Sequence, residues 1–171
     1  MRGTLRRAGS VAAAGALLLL LVAGAALAAT FVGDSGANTI FGTAQGDSID
    51  GRGGGDTLYG YGGNDSVYGN YGADLIRGGS GGDNPGFEVG PGAGKGLNGG
   101  PGNDDVYGGG GNDLLVGGAG GDLLSGGAGD DRIGEAGPDA IDRIYCGDGS
   151  DFVEAGQDDY VAPDCERVER Y

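Results

Sequence analysis

The sequence predicts an all-β fold, a parallel solenoid in which short strands alternate with glycine-rich turns and stack coil upon coil. Three observations point there. Thirteen nine-residue blocks run from Gly33 to Glu154, with Gly at position 1 in twelve, Gly at position 4 in eleven and Asp at position 6 in eleven. A branched aliphatic holds position 8 in twelve of the same blocks. Glycine and proline supply 45 and 5 of the 171 residues, a share typical of disorder unless a period organises it. Four columns kept in phase are such a period, and glycine does not recur at every third residue as a collagen triple helix requires.

The chain begins with a leader. Arg2, Arg6 and Arg7 precede an uncharged run from Val11 to Ala25, and Ala26, Leu27 and Ala28 form a small-x-small site, so residues 1–28 read as a secretory signal cut before Ala29. A membrane anchor is the alternative, because Val11 to Ala29 approaches spanning length, but much of that run is Ala and Gly. Arg6-Arg7 raises the twin-arginine route, although Ala8, Gly9 and Ser10 follow where that signal prefers a bulky apolar residue. Whole, the chain carries 25 acidic against 10 basic residues; without the leader it carries 25 against 7, or −18. That sign argues against nucleic acid as a partner. Histidine is absent, which removes Ser-His-Asp and Cys-His hydrolases, H-E-x-x-H proteases and His-containing zinc sites.

The blocks start at residues 33, 42, 51, 60, 69, 78, 90, 99, 108, 117, 126, 134 and 146; GRGGGDTLY from 51 and GGGGNDLLV from 108 are typical. Glycines at positions 1 and 4 permit positive φ and close backbone approach, so positions 1 to 6 turn, and the aliphatic at position 8 centres a three-residue strand. Two blocks complete a coil, and the position-8 side chains fill a thin core between two parallel sheets. They are Ile40, Ile49, Leu58, Val67, Ile76, Leu97, Val106, Leu115, Leu124, Ile133, Ile141 and Val153.

An eighteen-residue coil stacks position-6 carboxylates on each edge, pairing Asp47 with Asp65, Asp56 with Asp74, Asp65 with Asp83, Asp104 with Asp122 and Asp113 with Asp131. At about 5 Å and an effective dielectric of ~20, each pair repels by roughly 3 kcal/mol. A divalent cation reverses that sign. The donors on offer, carboxylates and turn carbonyls, are hard oxygens that suit Ca²⁺ with its six to eight flexible ligands. One buried aliphatic per nine residues does not offset the entropy of ordering them, so the chain is expected to fold on binding calcium.

These blocks resemble the G-G-x-G-x-D-x-U-x nonapeptide of the hemolysin-type calcium-binding (RTX) family, over Gly33 to Glu154. The resemblance implies a right-handed parallel β-roll in which position-6 side chains, with carbonyls of positions 2 and 4, enclose each Ca²⁺. The implied ligands are Asp47, Asp56, Asp65, Asp74, Asp83, Asp104, Asp113, Asp122 and Asp131, with Asn38 as a neutral version and Asp139 and Asp151 at broken spacing. Lys95 falls in the aspartate column, so a site pairing it with Asp113 is expected to be missing, its ammonium standing in for part of the ion's charge. Pro85 falls in the apolar column, and Asn84 to Val89 reads as a bulge or hinge between two segments of roll, or as a plain surface loop. Seven same-edge pairs less the Lys95 pair give six expected ions.

The organisation expected is therefore a leader (1–28), a roll (29–142, interrupted at 84–89) and a last degenerate repeat with a C-terminal cap (143–171). The ending resembles the cap of small secreted members of the family, with Ile144, Val153, Val161 and Val168 around the cysteines. In an exported chain Cys146 and Cys165 are expected to pair and pin that cap, with free reactive thiols as the alternative. Gly78 to Gly82 matches G-x-S-x-G, but there is no histidine to serve it; Gly96 stands where a P-loop around Lys95 would need Ser or Thr. Tyr59, Tyr68 and Tyr107 fall at outward position 9, as solvent-face β-formers or as a strip for glycans or a partner roll. The function expected is a secreted, extracellular, non-enzymatic calcium-binding protein with no membrane insertion after cleavage. A calcium-dependent adhesion or cell-envelope module, binding surface polysaccharide or a second copy, is the alternative.

Overall fold

The computed structural model describes residues 28–83, 96–134 and 140–171. The leader before Ala28, the stretch holding Asn84 to Val89 and Lys95, and Asp139 lie outside those residues. Fifteen strands follow in chain order: β1 (Thr30–Val32), β2 (Thr39–Phe41), β3 (Ser48–Asp50), β4 (Thr57–Gly62), β5 (Ser66–Tyr68), β6 (Leu75–Ser80), β7 (Leu97–Pro101) and β8 (Asp105–Gly110). Then come β9 (Leu114–Ala119), β10 (Leu123–Ala128), β11 (Arg132–Gly134), β12 (Arg143–Asp148), β13 (Phe152–Ala155), β14 (Tyr160–Val161) and β15 (Arg167–Arg170). Odd-numbered strands form an eight-stranded sheet, even-numbered strands a seven-stranded one, each in chain order and parallel throughout. The chain is an all-β parallel solenoid of about seven turns.

Alternation of the strands between sheets follows from the nonapeptide, which is too short to return to its own sheet. Its position-8 residue points inward each time. Ile49, Leu58, Val67, Ile76, Leu97, Val106, Leu115, Leu124, Ile133 and Val153 are fully buried between the sheets, while Ile40, in the first coil, is partly buried against them. Each full burial is worth about 1.5–3 kcal/mol. Ile141 departs from expectation: it is 63% exposed, and Ile144 takes the core place at 0%. The register explains this, because Leu124 pairs with Ile144, twenty residues on, where the preceding step from Val106 to Leu124 is eighteen.

At the stretch holding Asn84 to Val89, read either as a hinge between two segments of roll or as a plain surface loop, the strands on both sides pair directly. Val67 pairs directly with Leu97 and Ile76 with Val106, so both sheets continue without a gap across the stretch 84–95. Asp83 and Leu97 hold positions 6 and 8 of one strand-turn unit, and the blocks starting at 78 and 90 are its two halves. This changes the parity of every later strand. Tyr59 and Tyr107 consequently share the even sheet while Tyr68 lies on the odd one, so the three tyrosines do not form one strip.

In most of the later turns two positions take left-handed backbone. Position 4 does so as a glycine, for example Gly63 (φ 97°) and Gly120 (φ 128°). Position 2 does so as well, and Arg52 (φ 75°), Tyr61 (φ 78°) and Asn70 (φ 68°) adopt it without being glycine. At the C-terminal end Cys146 and Cys165 form a disulfide, with Cys146 in the core. Val161 packs on the core; Val168 pairs with Val153 on the last strand and is 39% exposed.

Candidate metal centres

Each turn folds its position-6 aspartate under the backbone, where one oxygen is claimed by the neighbouring coil. On the first edge, Ala29 N–H donates to Asp47 Oδ1 at 2.7 Å, Asp47 N–H to Asp65 at 2.7 Å, and Asp65 N–H to Asp83 at 2.9 Å. The row continues from Asp83 to Asp113 at 2.7 Å, Asp113 to Asp131 at 2.9 Å, Asp131 to Asp151 at 2.8 Å and Asp151 to Glu166 Oε2 at 2.9 Å. The second edge runs Asn38, Asp56, Asp74, Asp104, Asp122, Asp142 and Asp159, every link between 2.7 and 3.0 Å. Asp113 thus has Asp83 as its same-edge neighbour, in place of the expected Lys95.

The second oxygen is treated differently. In Asp56, Asp65, Asp74, Asp83, Asp104, Asp113, Asp131 and Asp151, Oδ2 is buried and accepts no hydrogen bond. These side chains are at most 3% exposed, which shuts the second oxygen off from bulk water. Leaving a buried polar atom unsatisfied costs of order 1–3 kcal/mol, and more for a charged one. Burial pushes Asp83, Asp104 and Asp113 up to about 7 and Asp65 and Asp131 up to about 6, against the opposing pull of the donated amide. Burial likewise raises Asp56, Asp74 and Asp151.

The position-1 glycine shows what faces that oxygen. A Cβ on Gly108 would lie 2.5 Å from both Asp113 Oδ2 and the carbonyl oxygen of Gly126 one coil on. Hollows of the same make recur at Gly51, Gly60, Gly69, Gly78, Gly99 and Gly126, each bringing the Oδ2 of its own turn near a carbonyl of the next coil. Among the described residues no three Asp, Glu or Cys side chains converge. A cation here would therefore take one or two carboxylates and complete its shell with backbone carbonyls. That donor set fits Ca²⁺, which accepts many flexible oxygen ligands, and not the thiolate- or imidazole-seeking metals.

Of the sequence-predicted ligands, Asp122 sits in its row, Asp47 and Asn38 sit in theirs with other partners, and Asp139 lies outside the described residues. The place after Asp122 belongs to Asp142, 1% exposed. Sequence reasoning missed it because both Asp139-x-Ile141 and Asp142-x-Ile144 fit the motif; counting nine back from Asp151 selects Asp142. A second, exposed row was also missed. Position-5 side chains Asn64, Asn103, Asn112 and Asp130 accept backbone N–H groups from the following coil at 3.0–3.2 Å.

The family model described as RTX calcium-binding nonapeptide repeat (4 copies) matches residues 32–66, 50–84, 98–133 and 135–161. No curated protein and no solved structure matches the chain significantly.

Proposed function

The chain belongs to the RTX calcium-binding nonapeptide-repeat family, and on that premise we propose that it is a secreted, non-enzymatic protein that folds when calcium fills its turns. The row of buried aspartate oxygens without a hydrogen-bond partner carries this reading. Asp56, Asp65, Asp74, Asp83, Asp104, Asp113, Asp131 and Asp151 are assigned as carboxylate ligands, with Asp122 by its place in the row and with the carbonyls of turn positions 2 and 4. Bound calcium supplies positive charge that neutralises stacked carboxylates and ties successive coils together. The chain's part is to hold each carboxylate by its Oδ1 as the turn closes, which leaves Oδ2 for the ion. Binding free energy then becomes folding free energy.

Far-ultraviolet circular dichroism of the full chain in chelator and then in millimolar calcium tests this reading. At about pH 8, where the folded carboxyls would be ionised, strand signal is expected only with calcium, and identical spectra would sink the proposal. Export is supported by the leader at residues 1–28, and mass spectrometry of protein recovered from culture medium should give an N-terminus at Ala29.

A second reading, a calcium-dependent adhesion module, draws on one face. Phe41, Tyr59, Arg77, Tyr107, Ser125 and Tyr145 stand in register on adjacent strands of the even sheet. Phe41 stacks on Tyr59 with ring centres 5.3 Å apart, and Arg77 lies 4.9 Å over Tyr107. Pull-down on cell-envelope polysaccharide, with and without chelator, separates this role from calcium binding alone.

A further inference from the structure

The two rows of aspartates end differently from the way they run. We infer that the terminal turns are closed by the chain's own hydrogen-bond donors and take no calcium, so that ions occupy the interior turns only; this rests on the calcium-dependent reading above.

At the N-terminal end of the first row, both oxygens of Asp47 are in use. Oδ1 accepts Ala29 N–H, and Oδ2 accepts the Thr43 amide at 2.6 Å and the Thr43 hydroxyl at 2.9 Å. Thr43 stands at position 2 but is not among the left-handed residues that hold this place in the later turns, and its N–H turns inward to the carboxylate. The second row begins with the neutral Asn38. Its Oδ1 accepts Asp34 N–H at 2.7 Å, and its Nδ2 donates at 3.1 Å to Asp34 Oδ1, which also accepts Gly36 N–H at 2.8 Å. The first turn is thereby locked by an Asp-Asn pair on its own edge.

The C-terminal end repeats the device with other residues. Asp159 Oδ1 accepts Asp142 N–H at 3.0 Å and its Oδ2 accepts Gly156 N–H at 2.6 Å. Arg170 then lays its guanidinium on the carbonyls of that turn, Nη1 donating to Gly156 O at 2.6 Å and to Asp159 O at 3.3 Å. Turn carbonyls of this class are what the interior turns offer to calcium; here a fixed cation of the chain already has them. An oxygen whose lone pairs face N–H or O–H donors also presents those positive hydrogens to an incoming cation. The contrast with the eight interior carboxylates, each with a buried and unclaimed oxygen, is one of kind. Asn38 and Asp47 therefore move from the list of ligands to the list of caps.

The test is calcium stoichiometry by isothermal titration on the full chain and on two variants in one row, Asp47→Asn and Asp65→Asn. The parent and Asp47→Asn are expected to bind the same number of ions and Asp65→Asn at least one fewer. An equal loss in both variants overturns the inference, whereas a parent that binds no calcium sinks the functional reading instead. If Asp65→Asn does not fold in calcium, Asp131→Asn replaces it. Arg170→Gln probes the other end: no fewer ions with a lowered melting temperature supports the caps, and a lost ion refutes them.

Discussion

Each of the eight interior aspartates divides its oxygens, with Oδ1 on an amide of the coil before and Oδ2 buried, in all but Asp151 in a hollow beside the position-1 glycine. The pH response follows from that hollow. The folded carboxyls of Asp83, Asp104 and Asp113 sit near 7 instead of the ordinary 3.8, so between those values the folded, metal-free chain binds more protons than the unfolded one. Stability from this source is fully present below about pH 4 and is lost as pH rises through about 7. Metal-free protein should therefore hold more strand signal at about pH 5 than at about pH 8. Calcium, which displaces those protons, should bind more tightly at the higher pH; a calcium midpoint that does not move between the two contradicts the assignment. Glycine at position 1 guards the same hollow. Gly108→Ala would push a methyl against Asp113 Oδ2 and Gly126 O, and overpacking of this kind costs about 1–3 kcal/mol, to be read as a lower melting temperature in calcium. The sequence pattern marked positions 1 and 4 as special but not why they differ: position 4 needs its backbone sign, position 1 its lack of a side chain. Position 2 escaped notice because Arg52, Tyr61 and Asn70 accept the left-handed backbone there. Arg52→Gly should relieve roughly 1–2 kcal/mol of that strain, measurable as a higher melting temperature.

Strands and turns were legible wherever the nine-residue phase ran unbroken, because a period of nine with one inward aliphatic leaves no other arrangement. Legibility failed at two insertions. Twelve residues between Asp83 and Gly96 divide one unit, and the halves happen to begin with glycine, so each passed for a degenerate copy with Pro85 or Lys95 in a key column. A proline in the apolar column beside a lysine in the acidic one was the signal that neither half was a whole repeat. Since Val67 pairs with Leu97 and Asp83 N–H reaches Asp113, excision of residues 84–95 should leave the calcium-induced strand spectrum intact. Loss of that spectrum would mean that the stretch is part of the coil. The shift from Ile141 to Ile144 has the same origin, two motif matches three residues apart in a coil two residues longer than the usual eighteen.

Across the whole molecule, each coil touches only its neighbours, so stability is close to a sum of like interfaces and the ends are where fraying begins. The Cys146–Cys165 bridge ties β12, the next-to-last strand of the even sheet, to the segment between β14 and β15. A loop of that length is worth about 3 kcal/mol in the chain-entropy model. Reduction should lower the calcium-loaded melting temperature and expose the C-terminal strands to hydrogen exchange first; uniform exchange along the chain would argue against an end-first opening.

The buried position-6 links also have a single sense. In each of them the amide belongs to the earlier coil and the carboxylate to the later, whereas the exposed position-5 row runs the other way, as from Ser150 N–H to Asp130. The buried ladder is a one-way structure with unequal ends. Within that ladder, removing coils from the front strands carboxylate oxygens, which water can serve, whereas removing them from the back strands buried amides. A chain starting at Gly51 should still gain strand signal with calcium, and one ending at Ala155, stripped of Asp159 and Glu166, should not. Built this way, the two rows are closed only when Asp159 and Glu166 arrive.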